Sequence, residues 1–106
     1  MRSVDLTTTF VYIIDGSLGM SKGKIAAQVS HCAMLLADKY DCLGRAIVLK
    51  MDHTQFGDFM LADKFPSEVV YIKDAGLTEV PPGTITCYGF KQTYFYKRYT
   101  KDLKLV

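Results

Sequence analysis

Apolar residues fall in four short runs along this chain, each bounded by turn-forming residues. Phe10 to Ile14 (FVYII) is continuously apolar and closes on Asp15-Gly16, which predicts a buried strand. From about Gly23 to Tyr40 the spacing becomes helical, rich in alanine and free of internal proline or glycine. Ala46 to Met51 (AIVLKM) predicts a second strand. Asp52 to Lys64 then reads as a short helix, N-capped by Asp52, with Phe56, Phe59 and Met60 on one face and Pro66 ending it. Val69 to Ile72 is a third strand, closed by Asp74-Ala75-Gly76, and Pro81-Pro82-Gly83 forms a turn before a fourth strand, Thr84 to Phe90 (TITCYGF). The tail is either a short helix from Gln92 to Tyr99 or irregular chain, with a brief extended end at Leu103 to Val106. The order strand, helix, strand, helix, strand, strand predicts a single α/β domain over residues 1–106. Its four-stranded mixed β-sheet would carry helices packed on both faces.

The first helix carries two stripes. Ile25, Val29, Cys32 and Leu36 recur at helical spacing and would bury against the sheet, whereas Lys24, Gln28 and His31 (i, i+4, i+7) share a polar face. Lys22 and Lys24 stand at the start of this helix, where cations are disfavoured by about 0.3–1 kcal/mol each unless an anion is also present. In open α/β sheets ligands bind beyond the carboxyl ends of parallel strands. That geometry would bring Lys22 and Lys24, which follow the first strand, near Asp74 and Thr78, which follow the third. A carboxylate beside a lysine keeps its charge and can position a water, while an aspartate at a strand end also commonly serves only as a turn residue.

Composition narrows the picture further. At 106 residues, with 49% hydrophobic and 12% aromatic content, the chain suits one compact core. Cys32, Cys42 and Cys87 are odd in number and show no CxxC spacing, which points to reduced thiols in a cytoplasmic setting and away from a disulfide framework or zinc site. The N-terminus lacks the apolar core of a secretory signal, and no apolar run approaches the roughly 20 residues of a membrane span, so a soluble protein without membrane attachment is expected. The net charge of +2 is small. After Lys91, however, Lys97, Arg98, Lys101 and Lys104 interleave with Tyr94, Phe95, Tyr96 and Tyr99 against a lone Asp102. Such a segment can meet phosphates and stack on bases, or its aromatics can simply pack on the core. A nucleotide-binding P-loop is excluded, because Leu18 and Ile25 occupy positions that need glycine and Ser or Thr.

Two segments, MSKGKIAAQVSHC and DAGLTEVPPGTITCYG, resemble the signatures of the archaeal/eukaryotic-type (type 2) peptidyl-tRNA hydrolases, and the closing DLKLV is similar to that family's usual ending. The resemblance implies a mixed sheet with flanking helices, usually in a homodimer. It also implies hydrolysis of the ester joining a peptide to the 3′ ribose of tRNA, without a metal or organic cofactor. The family's functional lysine falls on Lys24 and its neighbour on Lys22. The motif glutamine and histidine fall on Gln28 and His31, the aspartate on Asp74, the threonine on Thr78 and a small hydroxyl residue on Thr84. The implied catalytic set is Lys24, Asp74, Thr78 and His31, with Lys22, Gln28 and Thr84 meeting substrate. Ser21 stands where glycine is usual and Leu77 where arginine is frequent, the middle of the chain is compressed, and FKQTYFYKRY replaces a Gly-Pro-rich turn. These departures leave a second reading open, a non-catalytic module that binds RNA or protein through the same fold.

Overall fold

The computed structural model describes residues 4–61, 68–77 and 79–106. Its elements run β1 (Val4–Asp15), a 3₁₀ turn (Gly16–Leu18), α1 (Lys22–Tyr40), β2 (Leu43–Met51), α2 (His53–Leu61), β3 (Val70–Lys73), β4 (Ile85–Lys91), α3 (Tyr94–Thr100) and β5 (Lys104–Leu105). The sheet has five strands in the order β3-β4-β1-β2-β5. The fourfold count expected from the sequence is therefore corrected by β5. Only Lys104 and Leu105 enter the ladder, antiparallel to Lys50 and Leu49, so this strand is too short to show a periodicity of its own. β1 and β2 are parallel, as the intervening α1 requires, whereas β4 runs antiparallel to both β1 and β3. The tail is helical over α3. Of the second helix expected from Asp52, residues 62–64 lie outside the described residues, as does Pro66.

β1 is apolar on both sides because it sits mid-sheet between two cores. Phe10, Tyr12 and Ile14 face α1 and pack with Cys32, Leu36 and Cys87. Val11 and Ile13 face the other way, with Leu49, Met51, Phe56, Phe59, Tyr88, Phe90 and Tyr96 beneath α2 and α3. Helices thus cover both faces. Asp52 caps α2 as expected: its Oδ1 accepts from the Gln55 N–H at 2.8 Å, and Gln55 Oε1 accepts from the Asp52 N–H at 3.2 Å. No helix among the described residues is long and apolar enough to cross a membrane.

Candidate active site

The 3₁₀ turn leaves the carboxyl end of β1 and delivers the chain to Ser21, which N-caps α1 by accepting from the Lys24 N–H at 3.1 Å. Lys24 lies in the first turn of α1, and Asp74 follows the last residue of β3. The two meet at the same edge of the sheet: Lys24 Nζ is 2.5 Å from Asp74 Oδ2, and both side chains are about nine-tenths buried, at 10% and 7% exposure. Gln28, one turn further along α1, donates from Nε2 to the same Oδ2 at 3.0 Å, and the Gly76 N–H donates to Oδ1 at 2.7 Å. Among the described residues every partner of this carboxylate is a donor. The Lys24 hydrogen bond first, then the Gly76 N–H, hold Asp74 below its ordinary value near 3.8, against the opposing effect of burial.

The loop after Asp74 is tied down by its own backbone. The Asp74 N–H donates to Thr84 O at 2.8 Å, and the Gly83 N–H donates to Asp74 O at 2.7 Å. Thr84 Oγ1 donates to Pro81 O at 2.8 Å, so Thr84 closes the proline turn. Gly76 has φ +78°, and a Cβ there would lie 2.5 Å from Pro82 Cγ; only glycine fits. The loop also reaches back to α1 through Glu79, which accepts from the Ser21 N–H at 2.7 Å and from the Ser21 hydroxyl at 2.5 Å. Those two bonds, joined by the Lys24 charge, lower the Glu79 pKa. The anions that offset the lysine and the open helix start therefore come from the protein's own loop.

Of the residues singled out in the sequence, Lys24, Gln28, Asp74 and Thr84 are brought together, and Thr78 lies outside the described residues. Lys22 begins α1 and is exposed on the same edge. His31 is exposed and forms no hydrogen bond to this cluster among the described residues. The expected separation of polar and apolar stripes on α1 is corrected at Gln28, which is 3% exposed and packs in line with Cys32. Its burial is offset at both ends of the amide, since Thr86 Oγ1 donates to Gln28 Oε1 at 2.9 Å while Nε2 serves Asp74. Thr86 and Glu79 are site residues that the sequence pattern alone does not single out. Thr86 does carry a signal, a threonine set between Ile85 and Cys87 inside an apolar strand; Glu79 carries none.

A second polar cluster sits at the end of β1. Asp15 Oδ1 accepts from the Ser17 N–H at 2.9 Å and hydroxyl at 2.6 Å, with His53 Nδ1 3.3 Å from Oδ2 and 3.4 Å from Ser17 Oγ. A serine–histidine–aspartate relay needs the imidazole between the other two groups. Here the serine donates directly to the carboxylate, so the cluster caps the 3₁₀ turn. Among the described residues no group of three His, Cys, Asp or Glu side chains is placed to hold a metal ion.

Fold and site together define an α/β protein with a buried lysine–aspartate centre at the carboxyl edge of its sheet. A family model described as peptidyl-tRNA hydrolase PTH2 matches residues 8–106. Relatives named peptidyl-tRNA hydrolase include one from Thermococcus sibiricus, 35% identical over 91% of this chain and 95% of the relative. Others are from Sulfurisphaera tokodaii (32% identical, 95% and 100% covered) and Thermoplasma acidophilum (36%, 74% and 80%). The chain belongs to the PTH2 family of peptidyl-tRNA hydrolases.

Proposed function

We propose that this protein hydrolyses the ester between a peptide and the 3′ ribose of tRNA, with Lys24 and Asp74 at the reacting centre. The observation that carries the reading is the Lys24–Asp74 pair, buried and hydrogen-bonded at the strand ends of a PTH2 chain. An aspartate held strongly ionised is a weak proton acceptor, so its suited task is to orient water through its lone pairs. Thr78, four residues on, is the second water-orienting group in this reading. The water oxygen attacks the ester carbonyl, the bond to the 3′ oxygen breaks, and the peptide leaves as an acid while tRNA regains its hydroxyl. Lys24 has three donor protons. It can keep one on Asp74 and turn another to the developing oxyanion or the departing 3′ oxygen, where fixed charge acts most strongly. Gln28, braced by Thr86, sets the Asp74 rotamer, Thr84 fixes the loop, and exposed Lys22 meets a phosphate. His31, on the exposed side of α1 and without a hydrogen bond to the cluster among the described residues, takes no part in orienting the water in this reading. The domain in this reading spans the whole chain, acts in the cytoplasm and associates as a homodimer.

The test is release of tRNA from an N-blocked aminoacyl-tRNA by the native protein, Lys24→Ala and Asp74→Asn. Loss of turnover by roughly 100-fold or more in both variants is expected, the scale of removing one preorganised charge or donor. Native protein that binds the substrate and leaves the ester intact would overturn the enzyme in favour of a binding module.

A further inference from the structure

The fold divides the aromatic-basic tail into two halves. On the inner side of α3, Tyr96 is 1% exposed and stacks on Phe90 with ring centroids 4.4 Å apart, and Thr100 is buried beside it. Tyr99 meets Phe59 edge-on at 6.3 Å. Those residues are core. The outer side is different: Tyr94 is 93% and Phe95 38% exposed, and Lys97, Arg98 and Lys101 are exposed around them. The Arg98 guanidinium lies 5.5 Å from the Phe95 ring centre, so a cation already rests on an aromatic face. Lys97 and Lys101 form no ion pair among the described residues. Nothing in the core requires an exposed tyrosine at position 94 or three cations beside it.

We infer that the outer side of α3 is a second contact surface for the tRNA body, with Lys97, Arg98 and Lys101 on phosphates and Tyr94 available to stack on an unpaired base or sugar. The inference rests on the proposed substrate and extends it beyond the ester. Three cations against Asp102 match a polyanion, whereas an apolar protein partner would gain little from them. The cations also continue towards the reacting edge. Lys104 and Lys50, with Gly16 and Ser17, line a cleft of about 520 Å³ at the carboxyl ends of β1 and β2. Asp52 and Asp102 share that lining, and Asp52 is occupied in capping α2. The loop from Ser17 then leads to Ser21 and Lys24. The protein measures 35 × 31 × 24 Å, a span that a duplex of roughly ten base pairs covers at about 3.4 Å per phosphate along each strand.

The experiment measures binding of uncharged tRNA against salt concentration for the native protein, Lys97→Gln/Arg98→Gln/Lys101→Gln and Tyr94→Ala, alongside hydrolysis of the ester on full tRNA and on a 3′-terminal trinucleotide. The triple variant should lose about 1 from the log–log salt slope per cation removed. Tyr94→Ala should weaken binding on the order of tenfold. KM for full tRNA should rise in both with kcat held, and the trinucleotide ester should be cleaved as by the native protein. Unchanged tRNA affinity and salt slope would overturn the surface. So would an equal loss on the trinucleotide, which would make α3 a structural element, or an altered sedimentation coefficient with unaltered tRNA affinity, which would make it a contact between copies. Absence of hydrolysis by the native protein would overturn the proposed reaction, while the binding arm would still decide the surface.

Discussion

At the scale of single residues, the site is governed by what surrounds one carboxylate. Asp74 receives hydrogen bonds from Lys24, Gly76 and Gln28, all of which favour its ionised form. Because its pKa is depressed, the contribution of the pair to folding and to the site is full above the unfolded value near 3.8 and fades as pH falls through the lower folded value. We therefore expect thermal stability and kcat/KM to show no Asp74-dependent acid limb between pH 5 and pH 8. A pH–rate profile of the native protein beside Asp74→Asn checks this, and a limb that disappears in the variant would place the Asp74 titration inside the neutral range. The Lys24–Asp74 pairing is legible because the segments that carry them leave the carboxyl ends of β1 and β3, where topology gathers ligands. Gln28 is legible only in part. Its spacing from Lys24 was visible, but glutamine on a helix reads as surface, and its burial depends on Thr86, which is 58 residues away in the sequence.

At the scale of elements, the site depends on fastening the 74–84 loop to α1 and β4. Thr86→Val keeps the shape of β4 and removes the donor to Gln28 Oε1, leaving a buried acceptor unpaired. Chemical denaturation should show a loss of about 1–3 kcal/mol. Gly76→Ala meets both a positive φ and the Pro82 ring, so it should lower Tm and weaken turnover, because the Gly76 N–H would move away from Asp74. Glu79→Gln preserves size but weakens a charge-assisted link to Ser21, and Glu79→Ala removes it. If the link positions the loop, kcat should fall in the order Glu, Gln, Ala while Tm changes little; equal kcat in all three would show that the loop holds without it. The central runs of the strands and α1 are legible since their apolar patterns are long enough to count. Residues 4–9 of β1 and 43–45 of β2, mostly exposed, lie outside those runs. The extended end at 103–106 is legible as well and becomes β5, but its place in the sheet is not, because two ladder residues carry no period that would assign them to Leu49 and Lys50.

For the whole molecule, the outward side of α1 bears on whether two copies act as one unit. On α1, His31, Met34, Leu35 and Asp38 share the outward stripe, with Met34 62% and Leu35 45% exposed. Two large apolar side chains one helical turn from the buried face give a second copy something to cover. We expect sedimentation equilibrium to report a dimer for the native protein and a monomer for Met34→Glu/Leu35→Glu. The consequence for turnover follows from where the site is built. Lys24 and Gln28 come from α1, Asp74 and Glu79 from the loop after β3, and Thr86 from β4, all within one chain. Charging the outward stripe of α1 leaves the inward bonds of the same helix in place, so the monomeric variant should retain native kcat on the trinucleotide ester. A monomer that is folded by circular dichroism and has lost kcat would show that the partner copy supplies part of the reacting centre. A native protein that sediments as a monomer would remove the dimer and leave the intrachain site as the complete catalytic unit.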